Sequence, residues 1–198
     1  MKPNKLFFTS DTHFFHTNII EYANRPFANV EDMNDEIIRN WNDTVPKDGI
    51  IYHLGDFALG NQTETLNILN RLNGQIYLIR GNHEKTVMSK QFLRSKFAGI
   101  FDYVCELYVD DPEATYVSGN GKQLIVLSHY AFEVWRNSHH GSWHLHGHSH
   151  NTLPTPDDKL RLDVGVDNPL CDFYPISYNR VKEHMKTKKF KPVNHKED

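Results

Sequence analysis

Two rhythms of apolar residues alternate along the chain. Unbroken apolar runs that close on a small or polar cluster occur at KLFFTSDTH (5–13), GIIYHLGD (49–56), QIYLIRGNH (75–83) and KQLIVLSH (122–129). Runs without polar alternation predict strands covered on both faces, as in layered α/β proteins. Between the first two, NVEDMNDEIIRNWNDTV (29–45) returns Met33, Ile37, Ile38 and Trp41 at helical spacing behind the acidic first-turn residues Glu31 and Asp32, which predicts a helix. QTETLNILNRLNG (62–74) predicts a second, with Leu66, Ile68 and Leu69 on its apolar side and Asn73-Gly74 as its stop. A third helix is expected around Val87 to Phe97. YVCELYV (103–109) and LRLDVGVD (160–167) read as further strands, and PISYNRVKEHMKTKK (175–189) as a closing helix capped by Ser177. Strand and helix alternate early and strands follow one another later, so the sheets should be mixed.

Length and composition narrow the class. A chain of 198 residues, 38% hydrophobic and 24% charged, suits one globular domain with a full core. No repeat or linker marks a second domain. The expected division is a domain over 1–190 and a tail over 191–198, lysines dominating from Lys186 onward as a solvated face or frayed end. A net charge of −3 carries no basic excess, which disfavours extended nucleic-acid binding while leaving a nucleotide or a strand end open. Cys105 and Cys171 form no CxxC pair, and Leu6-Phe7-Phe8 is too short for a signal segment. No stretch approaches the roughly 20 apolar residues of a membrane span, so a reduced, cytoplasmic protein without membrane contact is expected.

Where the metal-capable side chains fall changes the picture most. Asp11 and His13 follow the first strand, Asp56 the second, Asn82 and His83 the third, His129 a later one, and HGHSH (146–150) the strand after that. Ligands gather at the carboxyl ends of strands in layered α/β proteins. Each piece alone is weak, but independent accidents do not keep landing on strand ends. Imidazole and carboxylate without thiolate suit manganese, iron, zinc, cobalt or nickel better than magnesium or calcium. Asp11, His13, Asp56, Asn82, His129 and two residues of the histidine run are too many donors for one site that must stay open, so two ions are expected. Gly147 is read as the bend that lets alternate histidines converge.

In order, DTH (11–13), GD (55–56), GNHE (81–84), SH (128–129) and GHSH (147–150) make a set that resembles the calcineurin-like metallophosphoesterases. DTHFFHTNII, LIRGNHE, LSHY and HLHGHSH are similar to a small bacterial and phage subgroup of that superfamily. GDFALGN (55–61) differs from the phosphoprotein-phosphatase branch. The resemblance spans positions 6 to about 180 and implies a four-layer α/β sandwich, two mixed β-sheets flanked by helices. It also implies two divalent transition-metal ions, manganese first, with iron, zinc, nickel or cobalt as alternatives. Asp11, His13, Asp56 and His150 would hold one ion, and Asp56, Asn82, His129 and His148 the other, with Asp56 bridging. By the same resemblance His83 contacts substrate as general acid to the leaving oxygen; Glu84, beside it, is expected to support a ligand histidine. His146 is expected behind the ligands and His144 in sheet packing.

The implied chemistry is phosphoester hydrolysis by a hydroxide held between the ions. Two divalent ions, two carboxylates and one hydroxide sum to about +1, which a monoanionic diester neutralises and a dianionic monoester overshoots. A phosphodiesterase acting on a small nucleotide or nucleic-acid end is therefore expected, ahead of a phosphomonoesterase on a small molecule or phosphoprotein. His16 and Arg80 are the foremost substrate contacts, before Asn18, Arg25, Tyr130, Trp135 and Arg136. A non-catalytic scaffold would show eroded ligands, and a mononuclear iron oxygenase would leave Asn82, His129 and half of GHSH without a role.

Overall fold

The unbroken apolar runs become the inner strands of two sheets in the computed structural model, which describes residues 1–117 and 119–193. In chain order the strands are β1 (Leu6–Thr9), β2 (Ile50–His53), β3 (Gln75–Ile79), β4 (Gly99–Phe101), β5 (Val104–Asp110), β6 (Lys122–Ser128), β7 (Trp143–His146), β8 (Arg161–Asp163) and β9 (Ile176–Ser177). The helices are α1 (Ile19–Tyr22), α2 (Val30–Thr44), α3 (Gln62–Arg71), α4 (Lys85–Ser89), α5 (Gln91–Arg94) and α6 (Tyr178–Lys186). One sheet runs β4-β3-β2-β1-β9 and the other β5-β6-β7-β8. Both are mixed, as expected: β1 to β4 are mutually parallel with β9 antiparallel, and β6 to β8 are parallel with β5 antiparallel.

The sheets face one another across a core that includes Phe8, Tyr52, Leu54, Leu107, Ile125, Leu127, Trp143 and Leu145, sealed at one side by Tyr178, Val181 and Met185 of α6. The outer face of the first sheet presents Phe7, Ile51, Ile76 and Leu78 to Met33, Ile37, Ile38 and Trp41 of α2 and to Ile68 and Leu69 of α3. Both faces of β1 and β2 are thus buried, which is why those strands read as continuous apolar runs. Edge strand β5 alternates instead, with Cys105, Leu107 and Val109 turned inward.

Asn29 caps α2 by accepting the Asp32 N–H, and Ser177 caps α6 by accepting the Arg180 N–H. Helix α3 stops at Arg71, before the expected Asn73-Gly74, because α2 has already claimed that turn. Leu72 is extended, the Asn73 N–H donates to Asn42 Oδ1, and Trp41 Nε1 donates to the Asn73 carbonyl. The single helix anticipated near 87–97 is two short ones, broken where Lys90 turns extended (φ −124°, ψ 114°). Beyond α6, the Lys189 N–H donates to the Asp157 carbonyl and the Val193 N–H to the His139 carbonyl. Lys186 and Lys189 are exposed, and positions 194–198 of the anticipated tail lie outside the described residues. Among the described residues no helix is long and apolar enough to cross a membrane.

Candidate metal centre

The parallel strands of both sheets send their carboxyl ends to one edge of the sandwich, where the loops after β1 and β2 are stitched together. The Asp11 N–H donates to the Gly55 carbonyl and the His13 N–H to the Asp56 carbonyl, each at 3.0 Å. A parallel bridge between Ser10 and Gly165 ties in the second sheet, within which the Gly147 N–H donates to the His129 carbonyl (3.0 Å). Asp11 (φ 56°), His13 (φ 50°), Asp56 (φ 58°), His148 (φ 66°) and His150 (φ 44°) all adopt left-handed backbone, which costs about 1–2 kcal/mol per residue. Such strain persists only where surrounding bonds over-determine it, and it concentrates at functional sites.

Gly147 plays a different part from the bend expected of it. The convergence of the histidines comes from the left-handed backbone of His148 and His150 themselves, whereas a Cβ at Gly147 would lie 2.0 Å from Ser10 Oγ and 2.3 Å from Asp11 Oδ2. Glycine is there because another strand end passes too close for a side chain.

Two clusters of donors result. Asp11, His13 and His150 form one, Asp56, His129 and His148 the other, and within each the ligand atoms lie within 4.8 Å of one another. Asp56 stands between them, with Oδ2 3.5 Å from the Nε2 of both His13 and His129. Asn82 joins the second cluster with Oδ1 3.0 Å from His129 Nε2. The structure brings together every residue for which a ligand role was anticipated.

These atoms fit cations and little else. His129 Nδ1 donates to the Leu54 carbonyl at 2.8 Å, and burial lowers the pKa of the ring, so the neutral imidazole has spent its one proton. Its Nε2 therefore meets Asn82 Oδ1 and Asp56 Oδ2 as lone pair against lone pair. In the first cluster Asp11 Oδ1 and His13 Nε2 are buried without any hydrogen-bond partner. Burial drives the Asp11 carboxyl well above its ordinary range and holds the His13 ring far below its own, so each is stranded unless a positive charge lies between them. Donors about 2.0–2.2 Å from a divalent ion sit roughly 3–4 Å apart, and the His13–Asp11 (4.0 Å), His13–Asp56 and His129–Asp56 (both 3.5 Å) and His129–Asn82 (3.0 Å) pairs have that spacing.

Outside the ligands lies a brace that the sequence did not announce. His150 Nδ1 donates to Asp167 Oδ2 at 2.6 Å, leaving Nε2 for an ion. Burial opposes charge on this ring, but the Asp167 hydrogen bond and the Asp11 carboxylate outweigh it and raise the pKa. Asp167 is gripped by Arg25 through Nε to Oδ1 and Nη2 to Oδ2, both 2.8 Å. The same guanidinium donates to the carbonyls of Asp11 (2.7 Å) and Thr12 (3.1 Å). Arg25, considered for substrate contact, is instead buried and fully engaged in shaping the ligand loop. Asp163 holds the loop that carries His150 by accepting from Ser149 Oγ (2.6 Å) and the Asn151 N–H (3.0 Å).

Glu84 does not support a histidine. It accepts the backbone N–H groups of Phe57 (2.7 Å) and Gly81 (2.6 Å), joining the Asp56 and Asn82 loops, and burial pushes its carboxyl up to about 7. His144 packs in the second sheet as expected. It stacks on Phe132 with ring centroids 4.9 Å apart, accepts the Phe132 N–H and donates to the Val126 carbonyl, and burial lowers its pKa to about 3. His146 is buried behind the ligand loop and donates from Nδ1 to the Gly147 carbonyl at 3.0 Å.

An open cleft of about 740 Å³ exposes the centre. It is lined by His13, Asp56, Asn82, His148 and His150, by His16 and His83, and by Ile19, Tyr22, Ala23, Ser149, Thr152 and Leu153. His83 has its ring 5.6 Å from that of His13, while its backbone N–H donates to Asp56 Oδ1 at 2.9 Å. His16 Nδ1 lies 3.2 Å from His13 Nδ1. Arg80 is outside the cleft lining. Its N–H continues the β3–β4 ladder to the Phe101 carbonyl, and its exposed guanidinium lies 3.7 Å from Asp102. Trp135 Nε1 bonds to Ser142, and Arg136 pairs with Glu106. Asn18 precedes α1 in an exposed position, and the half-exposed Tyr130 ring stands 4.7 Å from that of His148.

A family model described as calcineurin-like phosphoesterase matches residues 5–182. An uncharacterized protein of Methanocaldococcus jannaschii is 32% identical over 187 residues, 91% of each chain. The Gene 66 protein of Mycobacterium phage D29 is 26% identical, covering 83% of this chain and 88% of its own. Among solved structures, a protein of unknown function from Aquifex aeolicus shares the fold at a TM-score of 0.62 and 24% identity, over 90% of this chain and 98% of its own.

Proposed function

The chain belongs to the calcineurin-like phosphoesterase family, a family of metal-dependent phosphoester hydrolases, and from that premise we propose that it is a two-ion phosphodiesterase acting on a small nucleotide or nucleic-acid end. The observation that carries this reading is Asp56, whose Oδ2 stands 3.5 Å from histidine nitrogens of two separate donor clusters. Two divalent ions bound there supply positive charge to the phosphoryl oxygens and lower the pKa of water beside them.

The residues of the chain do the rest. Asp11, His13 and His150 hold one position and Asn82, His129 and His148 the other, with Asp56 shared. The Leu54 carbonyl and Asp167 fix which ring nitrogen of His129 and His150 faces inward. His83, in the cleft and tethered through its backbone to Asp56, carries the proton to the leaving oxygen. Manganese is the first metal to test, because the donor set mixes imidazole with carboxylate and carbonyl oxygen. Preference for a diester follows from a net charge of about +1 across ions, carboxylates and hydroxide. Cys105 and Cys171 are free and buried, which accords with a reduced cytoplasmic setting.

Hydrolysis of bis-p-nitrophenyl phosphate with Mn²⁺, before and after chelation, tests the proposal. Chelator-sensitive turnover exceeding that on p-nitrophenyl phosphate is expected. Absence of turnover on several diesters, with two ions bound per chain, would refute it.

A further inference from the structure

Beyond the ions, the cleft is poor in positive charge. Among the described residues lining it there is neither lysine nor arginine. Of the arginines beside the ligand loops, Arg25 is held inside the protein by Asp167, and Arg80 lies outside the lining with its guanidinium 3.7 Å from Asp102. A second phosphate on a substrate would find no lysine or arginine here to neutralise it, and polyanion binding depends on such neutralisation.

What the cleft offers instead is apolar surface next to the site. Ile19, Tyr22 and Ala23 come from α1 and its end, and Leu153 from the loop after β7. Tyr22 is 72% exposed and Leu153 41%, although both are large apolar side chains. The Tyr22 ring meets His16 edge-on at 6.2 Å between centroids, and His16 in turn lies 5.2 Å from His13. An exposed aromatic ring therefore stands two ring contacts from a metal-ligand histidine, in continuity with the position where a phosphate would bind. Aromatic rings bind flat heterocycles by stacking without regard to their identity.

Resting on the phosphodiesterase reading, we propose that this cleft selects substrates bearing a single phosphodiester and one uncharged flat group seated on Tyr22. The class is a mononucleotide-sized nucleoside phosphodiester, set apart from polyphosphates and polynucleotides. Tyr22 determines specificity and takes no part in the chemistry, which stays with the ions and His83.

Calorimetric titration of the Mn²⁺-loaded protein separates the parts. Methyl phosphate reads the ions, thymidine 5′-monophosphate reads ions plus shelf, and thymidine 3′,5′-bisphosphate adds a second charged group. We expect the monophosphate to bind about tenfold tighter than methyl phosphate, in line with stacking on one ring. The bisphosphate should gain less than threefold over the monophosphate. Tyr22→Ala should bring the monophosphate to within about twofold of methyl phosphate, leaving methyl phosphate binding and melting temperature unchanged, and Tyr22→Phe should retain the tenfold preference. With a thymidine diester, Tyr22→Ala should raise KM and spare kcat. Equal binding of the two monoesters by the unaltered protein, persistence of the preference in Tyr22→Ala, or a tenfold gain from the second phosphate each overturns the proposal while leaving the phosphodiesterase standing. Failure of methyl phosphate to bind the loaded protein, with no diester turnover, overturns the phosphodiesterase itself and this proposal with it.

Discussion

Asp167→Asn separates two jobs that one buried carboxylate performs. Its charge balances Arg25, whose side chain has no exposure, and its Oδ2 orients His150. The amide keeps the shape and loses the charge, leaving a guanidinium in the interior with only carbonyl partners. Removing one partner of a buried ion pair costs about 3–5 kcal/mol. In a chain of this size each kcal/mol lowers the melting temperature by roughly 2–4 °C, so a fall on the order of 6–20 °C is expected. The metal effect should be local. Loss of an orienting hydrogen bond behind a ligand histidine weakens binding about 10–100-fold, or ~1.4–2.7 kcal/mol. Only the ion at Asp11, His13 and His150 should feel this, because His129 is oriented by the Leu54 carbonyl and not by Asp167. Equilibrium dialysis against Mn²⁺ should show one ion per chain retained near its original affinity and the other weakened, while thermal melts report the stability loss. The pH profile should follow. Burial works against ionisation of Asp167, but its bonds to His150 and Arg25 hold the pKa below the ordinary value of 3.8. A depressed folded pKa contributes stability that is present above the unfolded value and is lost as pH falls through the folded one. The variant should therefore lose less stability below about pH 4 than the unaltered protein does. Equal weakening of both ions, or unchanged melting, would refute this account of the brace.

Gly147→Ala should destabilise the protein by about 1–3 kcal/mol and strip metal, since the new methyl lies on Ser10 Oγ and Asp11 Oδ2; normal denaturation and full metal content would contradict the close-approach argument. Acidification should remove the ions in order. His150, whose pKa is raised in the metal-free protein, must give up its proton to bind, whereas burial already keeps His129 neutral. Metal content followed from pH 8 to 5 should thus pass through a step at one ion per chain, and simultaneous loss of both would count against it. The sign for the metal-free fold is opposite to that of Asp167: a raised histidine pKa stabilises below 6.5 and the contribution fades as pH climbs through the folded value.

The ligands were legible because each sits just past an apolar run, so finding the strand finds the donor. Asp11, Asp56, Asn82 and His129 are found that way without any knowledge of which strands are neighbours. Arg25 and Asp167 were not legible as a pair, since 142 positions separate them and Arg25 follows no apolar run that the pattern marks. The last residues of LRLDVGVD offered the one available signal, a late strand closing on an aspartate like the others. Arg80 follows a strand as the ligands do but lies outside the cleft lining, because its backbone still pairs with β4 and position after a strand does not fix side-chain direction. β4 and β9 are too short for a period to register, and β9 merges in the sequence with the leader of α6.

Gly147 and Glu84 point to what determines this centre. Both were singled out correctly as residues and assigned the wrong work, because their true partners are backbone and strand ends contributed by other loops. The left-handed ligands explain why so much of the structure outside the ligands consists of such ties. Asp11, His13, Asp56, His148 and His150 would each relax by about 1–2 kcal/mol if released to ordinary backbone. What prevents it is a mesh of buried bonds from Arg25, Glu84, Asp163 and the paired loops, all directed at main-chain atoms near the ligands. Donor identity is therefore written locally in the sequence. Donor geometry is written at long range, in residues whose own chemistry never touches the ions.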